Sequence, residues 1–191
     1  MFADVRHHGG AFVTNAANMV TLGRILASPV IFWMILANEE SLGASWGAVI
    51  LGFILAVSDL IDGRLARSHG VTKAGSFLDP LADKIVVIGS SVALWQVGAY
   101  WWLPVVLIIV RELGISAWRS WLATKSVVVP ARQAAKWKST IQGVALLIAV
   151  APPFEQTRWL VTLSLWVAVA LTLYTGYLYL RDGSRSYAGA S

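Results

Sequence analysis

The chain contains no cysteine. That absence excludes disulfides, thiolate nucleophiles and Cys-ligated zinc together, and carries no information on redox compartment. Charge is scarce as well: charged residues make up 13% of the sequence, against about 25% in a typical soluble domain. Near the N-terminus there is no uninterrupted apolar stretch with a small-residue cleavage site, so no removable signal peptide is expected. Strand-like alternation, internal repeats and low-complexity linkers are also missing, which predicts one all-helical domain over 1–191 with tails at 1–14 and 182–191. His7 and His8 fall in the first tail, with nothing beside them to complete a metal site.

What is present is apolar. Hydrophobic residues form 57% of the 191 positions, and the mean hydropathy is +0.67. One small core cannot hide that much apolar surface, so a bilayer is the natural solvent. A spanning helix needs about 20 mostly apolar residues. Candidate spans run over 19–37, 42–58, 77–97, 101–122, 140–152 and 159–180. The fifth apolar run is short, which predicts a helix that starts earlier, near Gln133, with a polar first turn or two in the headgroup region.

The net charge of +5 permits a nucleic-acid partner or an anionic lipid surface; its distribution favours the lipid and argues against nucleic acid. The connections after the first and third spans hold no Lys or Arg, and the one after the fifth holds only Arg158. Arg64, Arg67 and Lys73 lie between the second and third spans with Lys84 near the start of the third, and Lys125, Arg132, Lys136 and Lys138 lie between the fourth and fifth with Arg119 near the end of the fourth. Arg6, Arg24, Arg181 and Arg185 belong to the same side. The positive-inside rule then predicts a multi-pass protein of the cell (inner) membrane with both termini cytoplasmic. Trp46, Trp101, Trp102 and Trp159 fall near the predicted outer ends, and Trp118, Trp121 and Trp137 near the inner ones, as interfacial belts do. For most of the basic residues, orientation is a sufficient explanation.

The acids are concentrated. Of ten acidic residues, four lie between Asp59 and Asp83. Asp59 and Asp62 are three apart, about 60° around a helix axis; Asp79 and Asp83 are four apart, about 40° around theirs. A short basic loop would make the two helices antiparallel neighbours and let the four carboxylates converge. Convergent unpaired carboxylates at a membrane are costly, and a hard divalent cation is the natural compensation. All-oxygen ligation suits Mg²⁺, Mn²⁺ or Ca²⁺ and fits zinc poorly. Gly63 and Ala66 leave room against the helix for a bulky ligand, and Arg67 is near enough to pair with its phosphates. Each feature has a plainer reading: acids at a helix start complement the macrodipole, and small residues pack helices. Their coincidence at one membrane face favours a site.

Asp59-x2-Asp62-Gly63-x2-Ala66-Arg67, followed by Gly75-x3-Asp79-x3-Asp83, resembles the motif of the CDP-alcohol phosphotransferase family, with eight defined positions in fixed order. Seven residues separate Arg67 from Gly75, a shorter spacer than the family's pattern, which bears on the loop more than on the acids. Asn18-x2-Thr21-x2-Arg24 with Pro29 resembles the start of the family's first helix, preceded by a short interfacial helix. Arg111-Glu112-x3-Ser116-x2-Arg119 and Lys136-x-Lys138-x-Thr140-x-Gln142 are similar to the phosphatidylglycerophosphate synthase branch. Arg111, Glu112, Ser116 and Arg119 would share roughly 140° of one helix, a polar face at a depth where charge is usually functional. A structural Arg–Glu pair between helices is the alternative.

The resemblance implies a fold, a chemistry and a partner set. Six transmembrane helices and a homodimer are expected. Asp59, Asp62, Asp79 and Asp83 would hold two divalent cations, Mg²⁺ or Mn²⁺, and Asp83 would serve as the base. Asn18, Thr21, Gly63, Ala66, Arg67, Thr72 and Gly75 would bind CDP-diacylglycerol. A phosphorylated acceptor needs a second, basic pocket, for which Arg111, Arg119, Arg132, Lys136 and Lys138 are the candidates. Glycerol 3-phosphate is the favoured acceptor; inositol phosphate and phosphatidylglycerol are rivals with the same chemistry. A cation transporter is the alternative from another class, disfavoured because the acids sit at one face and no matched broken helices occur in two halves. A non-catalytic scaffold leaves the four acids unexplained.

Overall fold

A computed structural model describes residues 16–69, 73–125 and 133–188, with side chains described for all of these except 16–18, 59–69, 73–77, 79, 133–136 and 188. The described chain is helical throughout, as expected: α1 (Ala16–Leu36), α2 (Trp46–His69), α3 (Lys73–Gln96), α4 (Trp102–Thr124), α5 (Gln133–Val150) and α6 (Arg158–Ala188), with short 3-10 turns at Glu39–Ser41 and Pro152–Phe154. The expected interfacial helix and the tail at 1–14 lie outside the described residues. The fifth helix is described from Gln133, and what precedes it lies outside the described residues.

Several boundaries differ from those read off hydropathy. The second helix starts at Trp46 rather than 42, because Leu42 takes a left-handed backbone (φ +54°) and closes the preceding 3-10 turn. Arg64 and Arg67, expected in a loop, belong to α2; Lys73 and Lys84 belong to α3. Apolar runs mark where a helix contacts lipid, and charged side chains prolong a helix readily beyond that point. For the same reason the expected C-terminal tail from 182 is part of α6, which continues to Ala188. Its last turns are anchored: the Tyr187 ring lies 5.4 Å from that of Trp121, itself stacked on Trp118 at 5.1 Å.

One end of the bundle is tied by polar contacts that show how the helices alternate. The amide of Ser45, ahead of α2, donates to the carbonyl of Val150 at the end of α5. Tyr100, between α3 and α4, donates its phenol to the carbonyl of Ala145 at 3.0 Å, and burial pushes that phenol far above its usual range. Arg158, the one basic residue at this end, donates to the carbonyls of Gly98 and Ala99, 3.0 Å each. It thereby satisfies two carbonyls of the turn between α3 and α4. Trp33, Trp46, Trp95, Trp101, Trp102 and Trp159 all emerge at this end, and all are exposed.

α1 packs against α2 and α3, α6 against α4 and α5, and α3 and α2 also touch α5. The core lies between Ile31 and Ile35 of α1, Leu94 of α3, Val105 and Ile108 of α4, and Val161, Leu165 and Val169 of α6. Around it, the usual distribution of a soluble protein is inverted. Thr21, Arg24, Ser28, Glu112, Lys138, Gln142, Thr172 and Thr175 are buried, while Leu26, Phe53, Val110, Leu163 and many other large apolar side chains are exposed. An apolar exterior over a polar seam is what a bilayer solvent selects. α1 over Met19–Leu36 and α6 over Arg158–Tyr187 are long and apolar enough to cross a membrane, and shorter apolar stretches occupy Trp46–Ser58 and Trp137–Val150.

The α1–α3 contact depends on one glycine. A Cβ at Gly89 would overlap the tip of the Phe32 ring. Gly89→Ala should destabilise the bundle by about 1–3 kcal/mol through overpacking, and Phe32→Leu in the same chain should recover part of the loss. Thermal unfolding in detergent checks both; an unchanged melting temperature for Gly89→Ala contradicts this packing.

Candidate active site

The acid motif is carried by two helices. Asp59, Asp62, Gly63, Ala66 and Arg67 lie on α2, and Gly75, Asp79 and Asp83 on α3. Thr72 lies outside the described residues, and of the four acids only Asp83 has a described side chain. Asp83 is half-buried and close enough for its charge to act on Lys138 of α5. The described side chains contain no group of three metal-ligating residues; convergence of the four carboxylates falls outside them. As a donor set, four carboxylates on two successive helices fit hard divalent cations.

Beside Asp83 the structure builds a polar network from three helices. Lys138 donates to Glu112 Oε1 at 2.6 Å, and Arg111 donates to the same oxygen at 3.0 Å. Both Glu112 and Lys138 are 5% exposed. Arg111 continues onto α6: its Nε donates to the carbonyl of Thr172 at 3.0 Å and its Nη2 to the hydroxyl of Thr175 at 2.8 Å. Gln142 of α5 donates to the hydroxyl of Thr172 at 2.9 Å. Charges therefore alternate from Lys138 on α5 through Glu112 to Arg111 on α4. Neither cation could be buried here without Glu112, since an unpaired buried charge is costly and a paired, hydrogen-bonded one is tolerated.

This arrangement sorts the predicted acceptor-pocket residues. Arg111 and Lys138 are both engaged with Glu112; the pair that joins two helices is Lys138–Glu112, whereas Arg111 and Glu112 are neighbours on α4. Ser116 donates to the carbonyl of Glu112 in its own helix. Arg119 is exposed near the C-terminal end of α4, with its guanidinium 5.6 Å from the centre of the Tyr179 ring. Seven residues beyond Glu112, it lies about 10 Å further along the helix. Lys136 belongs to α5; its side chain, and Arg132 altogether, lie outside the described residues. Asn18 and Thr21 belong to α1, where Thr21 is buried. Thr172, Thr175 and Gly176 were not singled out from sequence. Their signal was hydroxyls and a glycine three or four apart within an otherwise apolar helix.

Comparison with known proteins agrees with this assembly. The family model described as CDP-alcohol phosphatidyltransferase matches residues 14–174. A protein of Bacillus subtilis named CDP-diacylglycerol–glycerol-3-phosphate 3-phosphatidyltransferase is 36% identical over 180 residues, covering 86% of this chain and 93% of its own. One of the same name from Rickettsia typhi is 34% identical over 175 residues, covering 87% of this chain and 96% of its own. A probable phosphatidylglycerophosphate synthase of Mycobacterium tuberculosis is 31% identical over 186 residues, covering 95% of this chain and 87% of its own. With its acid motif on two successive helices and a match running nearly end to end, the chain belongs to the CDP-alcohol phosphatidyltransferase family.

Proposed function

We propose that this protein transfers the phosphatidyl group of CDP-diacylglycerol to glycerol 3-phosphate, forming phosphatidylglycerophosphate and releasing CMP. The observation that carries the reading is the eight-position motif along α2 and α3, with Asp83 beside a cationic seam. The relatives' names support glycerol 3-phosphate as the acceptor over inositol phosphate or phosphatidylglycerol.

Asp59, Asp62, Asp79 and Asp83 would hold two divalent cations, Mg²⁺ or Mn²⁺. When bound, these neutralise the negative charge that builds on the diphosphate. Asp83 accepts the proton of the acceptor hydroxyl. The acceptor oxygen bonds to the lipid-bearing phosphorus as the bond from that phosphorus to CMP breaks, and CMP departs with the electron pair. Asn18, Thr21, Gly63, Ala66, Arg67, Thr72 and Gly75 bind the nucleotide lipid. Arg119, Arg132, Lys136 and Lys138 receive the acceptor's phosphate, with Arg111 behind them. The lipid arrives along the membrane and the acceptor from water, so the site must lie at the interface. We read all six helices as spans of the cell (inner) membrane, with the acid motif and both termini cytoplasmic. The exposed apolar exterior and the tryptophans at the opposite end support this reading. A homodimer is expected from the family resemblance.

Arg119 tests the pocket. It is exposed and has no carboxylate partner among the described residues, so its guanidinium is open to a phosphate. Arg119→Gln should raise KM for glycerol 3-phosphate about tenfold or more, the scale of a lost charge-assisted contact, and leave KM for CDP-diacylglycerol nearly unchanged. An equal rise in both would remove Arg119 from the acceptor pocket.

A further inference from the structure

The line of alternating charge ends on α6, far in sequence from the acid motif. Lys138 reaches the bundle interior only because Glu112 meets it at 2.6 Å. Glu112 is shared with Arg111, and Arg111 is fixed from the other side by the Thr172 carbonyl and the Thr175 hydroxyl. The approach of Arg111 to α6 also depends on Gly176, where a Cβ would stand 3.3 Å from Arg111 Cγ and 3.4 Å from Nε. Three of the five guanidinium donors are thus spoken for by the protein, which makes Arg111 a poor direct ligand for substrate. Lys138 uses one of its three donors on Glu112. The cluster of Arg111, Glu112 and Lys138 keeps one net positive charge.

We infer that Thr175 and Gly176 of α6, acting through Arg111 and Glu112, are positioning residues that aim the Lys138 ammonium at the phosphate of the acceptor and so set affinity for the acceptor rather than for the nucleotide lipid. The inference rests on the reading of Lys138 as an acceptor-phosphate ligand. It changes the part assigned to Arg111, from contacting the phosphate to holding the carboxylate that holds Lys138. A merely structural hydroxyl would affect folding, or both substrates alike.

The test is steady-state KM for both substrates in detergent–lipid micelles, on full-length Thr175→Val, Thr175→Ser, Gly176→Ala and Lys138→Gln. Thr175→Val keeps the shape and removes the acceptor oxygen. It should raise KM for glycerol 3-phosphate about tenfold, the scale of one hydrogen bond to a charged group, and leave KM for CDP-diacylglycerol within about twofold. Thr175→Ser should restore the wild-type value, and Lys138→Gln should give at least the rise seen with valine. Gly176→Ala, which crowds Arg111 without removing a polar group, should repeat the selective rise and decides the matter if Thr175→Val does not fold. A rise with Lys138→Gln but none with Thr175→Val or Gly176→Ala, or an equal rise in both constants, overturns the positioning role alone. No change in acceptor KM with Lys138→Gln overturns the reading of Lys138 itself.

Discussion

Asp83→Asn should lower kcat for CMP release by about 10²–10⁴-fold, the contribution of a positioned general base. Asparagine keeps the size and a hydrogen-bonding oxygen but cannot take a proton. Asp83 is half-buried, and its helix packs against α1, so the variant should stay folded. The substitution also removes a negative charge that acts on Lys138 from α3. Because that ammonium keeps Glu112, acceptor KM should move far less than kcat. The measurement is kcat and both KM values at saturating Mg²⁺, with a melting curve in parallel. Activity within about twofold of wild type, in a folded variant, would remove Asp83 from the chemistry. A rise in KM with kcat unchanged would make it a binding group only.

Glu112→Ala should cost about 3–5 kcal/mol of stability, the loss expected when one partner of a buried ion pair is removed. Glu112 is the only acid that the described contacts place against both Arg111 and Lys138. Without it two cations remain in the interior, and the cavity left by the side chain adds to the loss. The account also predicts an asymmetry. Lys138→Met retains the aliphatic stem and leaves a balanced Arg111–Glu112 pair, so it should cost only about 1–2 kcal/mol. Urea or thermal unfolding in one detergent compares the two. Equal losses would mean that the charges do not compensate each other as their geometry implies.

The six helices were legible because six apolar runs are separated by polar or turn-forming residues. The helix ends were not, since hydropathy changes where the solvent changes and the hydrogen-bonded backbone does not stop there. Arg64, Arg67 and Lys73 look like loop residues for that reason, yet each is a capable helix former. Tyr187 could not reveal that residues after Arg181 stay helical, because its partner Trp121 is 66 positions away. The acid motif was legible as an ordered pattern of residue types. The partners of the interior charges were not. Lys138 reads as one more basic residue of a cytoplasmic connection, and only packing of α5 against α4 shows that it enters the bundle. Thr172 and Thr175 read as incidental hydroxyls in an apolar helix until Arg111 and Gln142 are placed against them.

CMP release by the purified protein in detergent–lipid micelles tests the central claim most directly. The assay supplies CDP-diacylglycerol and Mg²⁺ with glycerol 3-phosphate, inositol phosphate or phosphatidylglycerol as separate acceptors, with a chelator control for each. The account predicts release with glycerol 3-phosphate that the chelator abolishes, and only background release with the other two. Release sustained by inositol phosphate or phosphatidylglycerol and not by glycerol 3-phosphate would contradict the proposed acceptor, and metal-independent release would contradict the role of the four carboxylates.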